Sequence, residues 1–83
     1  MDRYIETVIN ILKEVNQYEE ICADTDLMEA GILNSLNLLY LIEELDDTYQ
    51  ITIPEDEVKP ENFQSVRQIA SLTDSLIKKG NNP

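Results

Sequence analysis

An all-α fold of three longer helices and one short helix is predicted by three features of the sequence. Apolar residues recur at helical spacing near both ends, and a Leu-rich middle stretch from Ser35 to Tyr49 holds no Gly or Pro. The one alternating run, Ile51-Thr52-Ile53, is too short for a paired strand and stops at Pro54. A chain of 83 residues can enclose one small core, so residues 1–83 are expected to form a single domain.

The first helix is expected over residues 2–17. Ile5, Val8, Ile9, Leu12 and Val15 share one helical stripe, and Asp2 suits the positive end of the helix dipole. Asn16-Gln17-Tyr18 break the pattern. The polar stretch that follows, as far as Gly31, is anchored by Ile21, Cys22, Leu27 and Met28 and forms a long ordered loop. Loops above about twelve residues in small domains tend to be functional. The second helix is expected over 35–49, with Leu38, Leu41, Ile42, Leu45 and Tyr49 toward the core. Pro54 and Pro60 each suit the first position of a helical turn, which places the short element within 54–63. The last helix is expected over 65–79, opened by a capping-box pair, Ser65 and Gln68. Val66, Ile69, Ala70, Thr73, Leu76 and Ile77 form its stripe, Lys78-Lys79 suit the negative end of its dipole, and Gly80 opens a tail over 80–83.

Seventeen acids against six bases give a net charge of −11, yet 42% of residues are apolar, so the chain folds. This charge repels phosphate backbones and anionic lipid, which excludes nucleic acid as a partner and makes a basic protein the natural one. No apolar stretch approaches the roughly 20 residues that span a bilayer, so no membrane insertion is expected. The opening Met1-Asp2-Arg3-Tyr4-Ile5-Glu6 has neither the basic segment nor the apolar run of a signal peptide, which makes the cytoplasm the expected compartment. The absence of His removes the usual proton shuttle, and a single Cys excludes an internal disulfide. Between Glu14 and Val58 lie thirteen acids and no Lys or Arg, so the charge forms an acidic middle between balanced ends.

On a wheel of about 100° per residue, the core face of the second helix leaves Leu36, Leu39 and Tyr40 near the opposite side, interleaved with Glu43, Glu44 and Asp47. Large apolar residues rimmed by acids suit docking onto a basic, partly apolar partner surface. Together with Asn34 they form the candidate docking face. Ser35 stands at the start of this helix, where free N–H groups and the positive end of the dipole point outward. Ser35 or Asn34 is the candidate N-cap. The same geometry stabilises an anion, including a phosphate esterified to the Ser35 hydroxyl.

Asp26-Leu27 followed by Gly31-Ile32-Leu33-Asn34-Ser35-Leu36 resembles the phosphopantetheine attachment region of acyl carrier proteins. There, an acidic-plus-Leu step and a Gly precede an Asp-Ser-Leu triplet that opens the second helix. The order of elements is also similar, through Tyr49 at the end of the second helix and Ile53-Pro54-Glu55 after it, so the likeness covers about residues 2–78. The resemblance implies a small four-helix bundle of the acyl-carrier type, acting as a monomer. It implies that a phosphopantetheinyl transferase, using coenzyme A and magnesium, attaches 4′-phosphopantetheine to Ser35 as a phosphodiester. It further implies that an acyl- or aminoacyl-loading ligase and downstream transferases or synthases exchange cargo on the terminal thiol. A carrier of this kind is not an enzyme and needs no catalytic group.

Asn34 stands where the family usually has Asp, and Asn37 replaces an acid common in fatty-acid carriers. Two residues, Ile32 and Leu33, separate Gly31 from Asn34, where fatty-acid and modular-synthase carriers mostly have one. That spacing looks like D-alanyl carriers and other free-standing carriers, whereas Phe63-Gln64-Ser65-Val66 lacks the Trp and Thr-Pro typical of D-alanyl carriers. A discrete carrier of a dedicated pathway is therefore favoured, with the cargo open. Among rival readings, an EF-hand starting at Asp24 needs Gly at its sixth position and Glu at its twelfth, and meets Glu29 and Ser35 instead. Cys22 has no His with which to form a catalytic pair, and no metal site is expected. A small acidic adaptor without a prosthetic group is the alternative reading, since it would use the same docking face.

Overall fold

The computed structural model describes residues 2–80. Three α-helices, α1 (Asp2–Val15), α2 (Ser35–Tyr49) and α3 (Val66–Gly80), carry the fold, and no strand occurs among the described residues. The single short helix expected within 54–63 is instead two 3-10 turns, Glu55–Glu57 and Pro60–Asn62. Each turn is only three residues long, because the extended residues Pro54 and Lys59 precede them and Val58 and Phe63 leave helical geometry after them. The fold is therefore all-helical with three α-helices, and the fourth helix of the expected bundle is reduced to these turns.

α1 packs against both other helices and runs antiparallel to α2. Near its start, the rings of Tyr4 and Tyr49 meet edge to face at 5.3 Å; near its end, Tyr40 on α2 donates its hydroxyl to Glu14 Oε2 at 2.7 Å. Contact with two helices widens the arc that α1 buries. Ile11, off the expected stripe, is in the core beside Val8 and Leu12, while Val15 is 42% exposed. α1 stops two residues before the expected boundary. Asn16 turns its side-chain amide onto the Leu12 carbonyl at 3.1 Å, satisfying an acceptor that another helical turn would have used.

α2 ends at Gln50, a left-handed residue (φ 54°) whose N–H returns to the Asp46 carbonyl. The Asp46 carboxylate then accepts the Ile53 N–H at 3.2 Å, which turns the chain back toward the core. α3 begins one residue after the expected start, because Ser65 acts outside the helix as its cap: its Oγ accepts the Gln68 N–H at 3.3 Å and donates to Gln68 Oε1 at 3.4 Å. Gly80 belongs to this helix rather than to a tail, and the rest of the expected tail, 81–83, lies outside the described residues.

The core joins Val8, Leu12, Leu27, Ile32, Leu41, Leu45, Phe63, Val66 and Ile69. Thr73 is buried among apolar residues and donates its hydroxyl to the Ile69 carbonyl at 2.9 Å, so no donor is left unpaired. No helix among the described residues is long and apolar enough to cross a membrane.

Candidate functional site

The loop between α1 and α2 places Ser35. Of its four expected apolar anchors, Ile21 and Leu27 are buried, but Cys22 and Met28 are exposed. The missing anchors are Ile32 and Leu33, both buried. The two residues that lengthen the step from Gly31 to Asn34 thus enter the core and pin the loop directly ahead of Ser35. Gly31 makes this possible by adopting φ 74°. A Cβ there would meet no atom within 4 Å, so backbone conformation rather than space requires the glycine. After it the chain folds back, and the N–H groups of Ile32 and Leu33 both donate to the Leu27 carbonyl, at 2.9 and 3.0 Å.

The other side of the loop is stitched to the start of α3. Leu27 N–H donates to the Gln64 carbonyl at 2.8 Å and Arg67 N–H to the Ala23 carbonyl at 2.9 Å. Arg67 also holds both carboxylate oxygens of Asp24, at 2.8 and 3.2 Å. Asp26 accepts the Glu29 N–H at 3.0 Å and the Gln64 side-chain amide at 3.2 Å. The carboxylates of Asp24 and Asp26 are therefore bound to protein donors, and no cluster of three potential metal ligands exists among the described residues.

The hydrogen bond from Arg67 holds the Asp24 carboxyl below its ordinary value of 3.8, and those from Glu29 N–H and Gln64 do the same for Asp26. A depressed carboxylate stabilises the fold above its unfolded pKa and loses that contribution as pH falls through its folded value. The melting temperature of wild type should therefore exceed that of Asp26→Asn at pH 6. The gap should close as pH drops below about 3.8; a gap independent of pH down to 2 would contradict this role for the ionised carboxylate.

Ser35 is the first residue of α2 and is exposed. Asn34, extended at φ −123° and ψ −177°, is the N-cap, and its Oδ1 accepts the Asn37 N–H at 2.9 Å. With the cap supplied by its neighbour, the Ser35 hydroxyl makes no hydrogen bond among the described residues. The first turn of α2 contains no acid, so nothing there opposes an anion at the positive end of the 15-residue helix. A phosphodiester on this oxygen would meet open solvent and a favourable field. The residues present therefore fit a covalently attached, anionic prosthetic group.

On the outer face of α2, Leu36 and Leu39 are 76% and 61% exposed. Glu43 and Asp47 are exposed along the same helix, while Glu44 is half-buried. Tyr40 departs from the expected exposed position. It packs on the edge of the core, and Glu14 on α1 captures its hydroxyl, which pushes its pKa up to about 12. The wheel for α2 alone could not show this, because the end of α1 covers one flank of that face. Sequence reasoning also missed Asn16 and Asn37 as hydrogen-bond donors to the Ile32 carbonyl. A polar residue just past the last apolar position of a helix was the available signal for Asn16.

A small helical domain that presents a free serine at the head of an acid-flanked helix has the architecture of a carrier. Residues 6–73 match the family model described as the phosphopantetheine attachment site, and the chain belongs to this family of phosphopantetheine-binding carrier proteins. Its prosthetic group is accordingly 4′-phosphopantetheine. The D-alanyl carrier protein of Streptococcus suis (strain 05ZYH33) is 35% identical over 68 residues, covering 80% of this chain and 85% of the relative. That of Lactococcus lactis subsp. lactis (strain IL1403) is 32% identical over the same length, covering 80% and 86%. Among solved structures, a chain in a crystal structure described as an FAD-dependent dehydrogenase superposes with a TM-score of 0.73 at 34% identity, covering 80% of this chain and 96% of that one.

Proposed function

We propose that this chain is a free-standing carrier in which Ser35 bears the 4′-phosphopantetheine and an acyl or aminoacyl group travels between partner enzymes of a dedicated pathway. The group supplies a terminal thiol on which the cargo is held as a thioester. The observation that carries the reading is the Ser35 hydroxyl itself: exposed, unbonded, relieved of capping by Asn34, and set at a helix N-terminus with no acid in its first turn. A phosphopantetheinyl transferase supplies the base and magnesium for attachment from coenzyme A, so the carrier contributes only the nucleophilic oxygen and its placement. Intact-mass measurement with coenzyme A, magnesium and a broad-specificity transferase tests the reading. One adduct is expected. No adduct with any transferase would instead support the adaptor, which binds a basic protein through α2 without modification.

The D-alanyl carrier relatives favour an amino acid, D-alanine first, as the cargo, loaded by an aminoacyl ligase. The likeness to the chain in the dehydrogenase structure favours a second reading, in which an FAD-dependent dehydrogenase is among the partners that would act on the carried group. Partners would grip the exposed part of α2: Leu36 and Leu39 as apolar contacts, Glu43 and Asp47 as charges for basic side chains, and Asn34 at the rim. Leu39→Ala and Glu43→Lys should each lower the transferase kcat/KM by about 10-fold, equivalent to about 1.4 kcal/mol, while helicity by circular dichroism is unchanged. Unaltered rates in both variants would remove this face from the docking surface.

A further inference from the structure

The Ile32 carbonyl lies three residues ahead of Ser35 and accepts two side-chain amides from two helices. Asn16 Nδ2, just past α1, and Asn37 Nδ2, in the first turn of α2, each donate to it at 3.0 Å. Asn16 also donates to the Leu12 carbonyl at 3.1 Å, and the Asn37 backbone N–H is held by the Asn34 cap at 2.9 Å. Two donors occupy both lone-pair directions of one carbonyl oxygen, so α1, the loop and α2 are joined at a single atom. We infer that this carboxamide clamp is a positioning device for Ser35, fixing where the hydroxyl sits relative to the exposed face of α2 that a modifying enzyme grips. The inference rests on Ser35 being the attachment point.

Three features support a role beyond general stability. Gly31, whose left-handed backbone is available to few other residues, lies on one side of Ile32, and the free head of α2 lies on the other. The clamp bridges that short segment. Both donors are uncharged, and an Asp at position 37 would set a carboxylate oxygen against the Ile32 carbonyl with no proton between them. It would also place a negative charge beside the phosphodiester, in a first turn that now has none. Asn37 is thus the residue type that can hold the loop and keep the head of the helix neutral. The departure from an acid at this position has a structural cause in the Ile32 carbonyl.

Positioning matters because the Ser35 oxygen, giving its proton to the transferase's base, would bond to the pantetheine-side phosphorus of coenzyme A in line with the departing adenosine 3′,5′-bisphosphate, and a misplacement of about 1 Å can cost such a reaction about 100-fold in rate. Asn16 is the diagnostic residue, since it acts from the end of α1 rather than from the docking helix. The test compares wild type, Asn16→Ala, Asn37→Ala, the double variant and the near-isosteric Asn16→Asp. Transferase kcat and KM are measured separately by intact mass, far below the melting temperature, with the folded fraction monitored by circular dichroism. Asn16→Ala should lower kcat by about 10-fold or more, with KM within about twofold and the folded fraction unchanged. Amide exchange should rise over residues 31–37 but not in α3, and the double variant should fall short of the product of the single losses. A merely structural role would leave kcat of the folded protein intact. If Asn16→Ala fails to fold, Asn37→Ala, which removes the other donor to the same carbonyl, decides. Modified wild type with an unchanged kcat in the folded Asn16 or Asn37 variants overturns the clamp alone; an unmodified wild type overturns the Ser35 assignment and the inference with it.

Discussion

Ser35→Ala is expected to abolish phosphopantetheine attachment completely while leaving the fold intact. The two halves of this expectation have separate physical grounds. Attachment needs an oxygen nucleophile at the head of α2, and no chain neighbour of Ser35 can replace it: Asn34 is committed to the Asn37 N–H, and Leu36 is apolar. Stability should change by less than about 0.5 kcal/mol, because the hydroxyl makes no internal hydrogen bond and Ala is the best helix former. Parallel intact-mass and thermal-melt measurements would separate these halves. An adduct on the Ala variant would move the attachment point elsewhere in the chain. A variant that melts well below wild type would show that Ser35, rather than Asn34, supports the helix start.

The largest effect on stability is expected from Phe63→Ala. Phe63 is 1% exposed, and it follows the second 3-10 turn where the chain enters α3. Truncating a buried Phe typically costs about 3–5 kcal/mol, through lost transfer energy and the cavity left behind. A chain of 83 residues has roughly 4–12 kcal/mol of stability in total at the usual per-residue value. The variant should therefore lose much of its margin, visible as a fall of more than about 10 °C in Tm. Leu36→Ala is the matched control, because that side chain is 76% exposed and should change stability by no more than about 0.5 kcal/mol. Similar shifts in the two variants would mean that Phe63 is not the keystone its burial implies.

These effects differ in how far they could be foreseen. The extent of α2 coincides with the Leu-rich stretch expected from Ser35 to Tyr49, since helix propensity is a local property of the chain. The head of that helix was legible too, but the cap was left open between Asn34 and Ser35. That choice depends on which side chain reaches the Asn37 N–H, a matter of backbone angles at Asn34. Tyr40 lies off the exposed side that a wheel of α2 gives it, because a wheel assumes one buried side and the end of α1 adds a second. Cys22 and Met28 have the hydrophobicity of anchors but are exposed. The loop instead turned Ile32 and Leu33 inward, because Gly31 reverses the chain just before them.

The all-helical class, the three helical segments, the acidic middle without a base from Glu14 to Val58, and the motif around Ser35 all follow from the order of residues. These are consequences of composition and of spacing within single segments, where each residue's preference is set by near neighbours. Which side chains cover which is set by the packing of the helices. It committed Asp24 to Arg67, Asp26 to Gln64, Tyr40 to Glu14, and Asn16 with Asn37 to the Ile32 carbonyl. Most of these pairs join residues far apart in the chain, and hydrogen bonds of that kind are fixed by the packing of helices against one another. Asp24 and Asp26 of the loop thus act as structural fasteners, while the acids of α2 at Glu43 and Asp47 remain exposed beside Leu36 and Leu39.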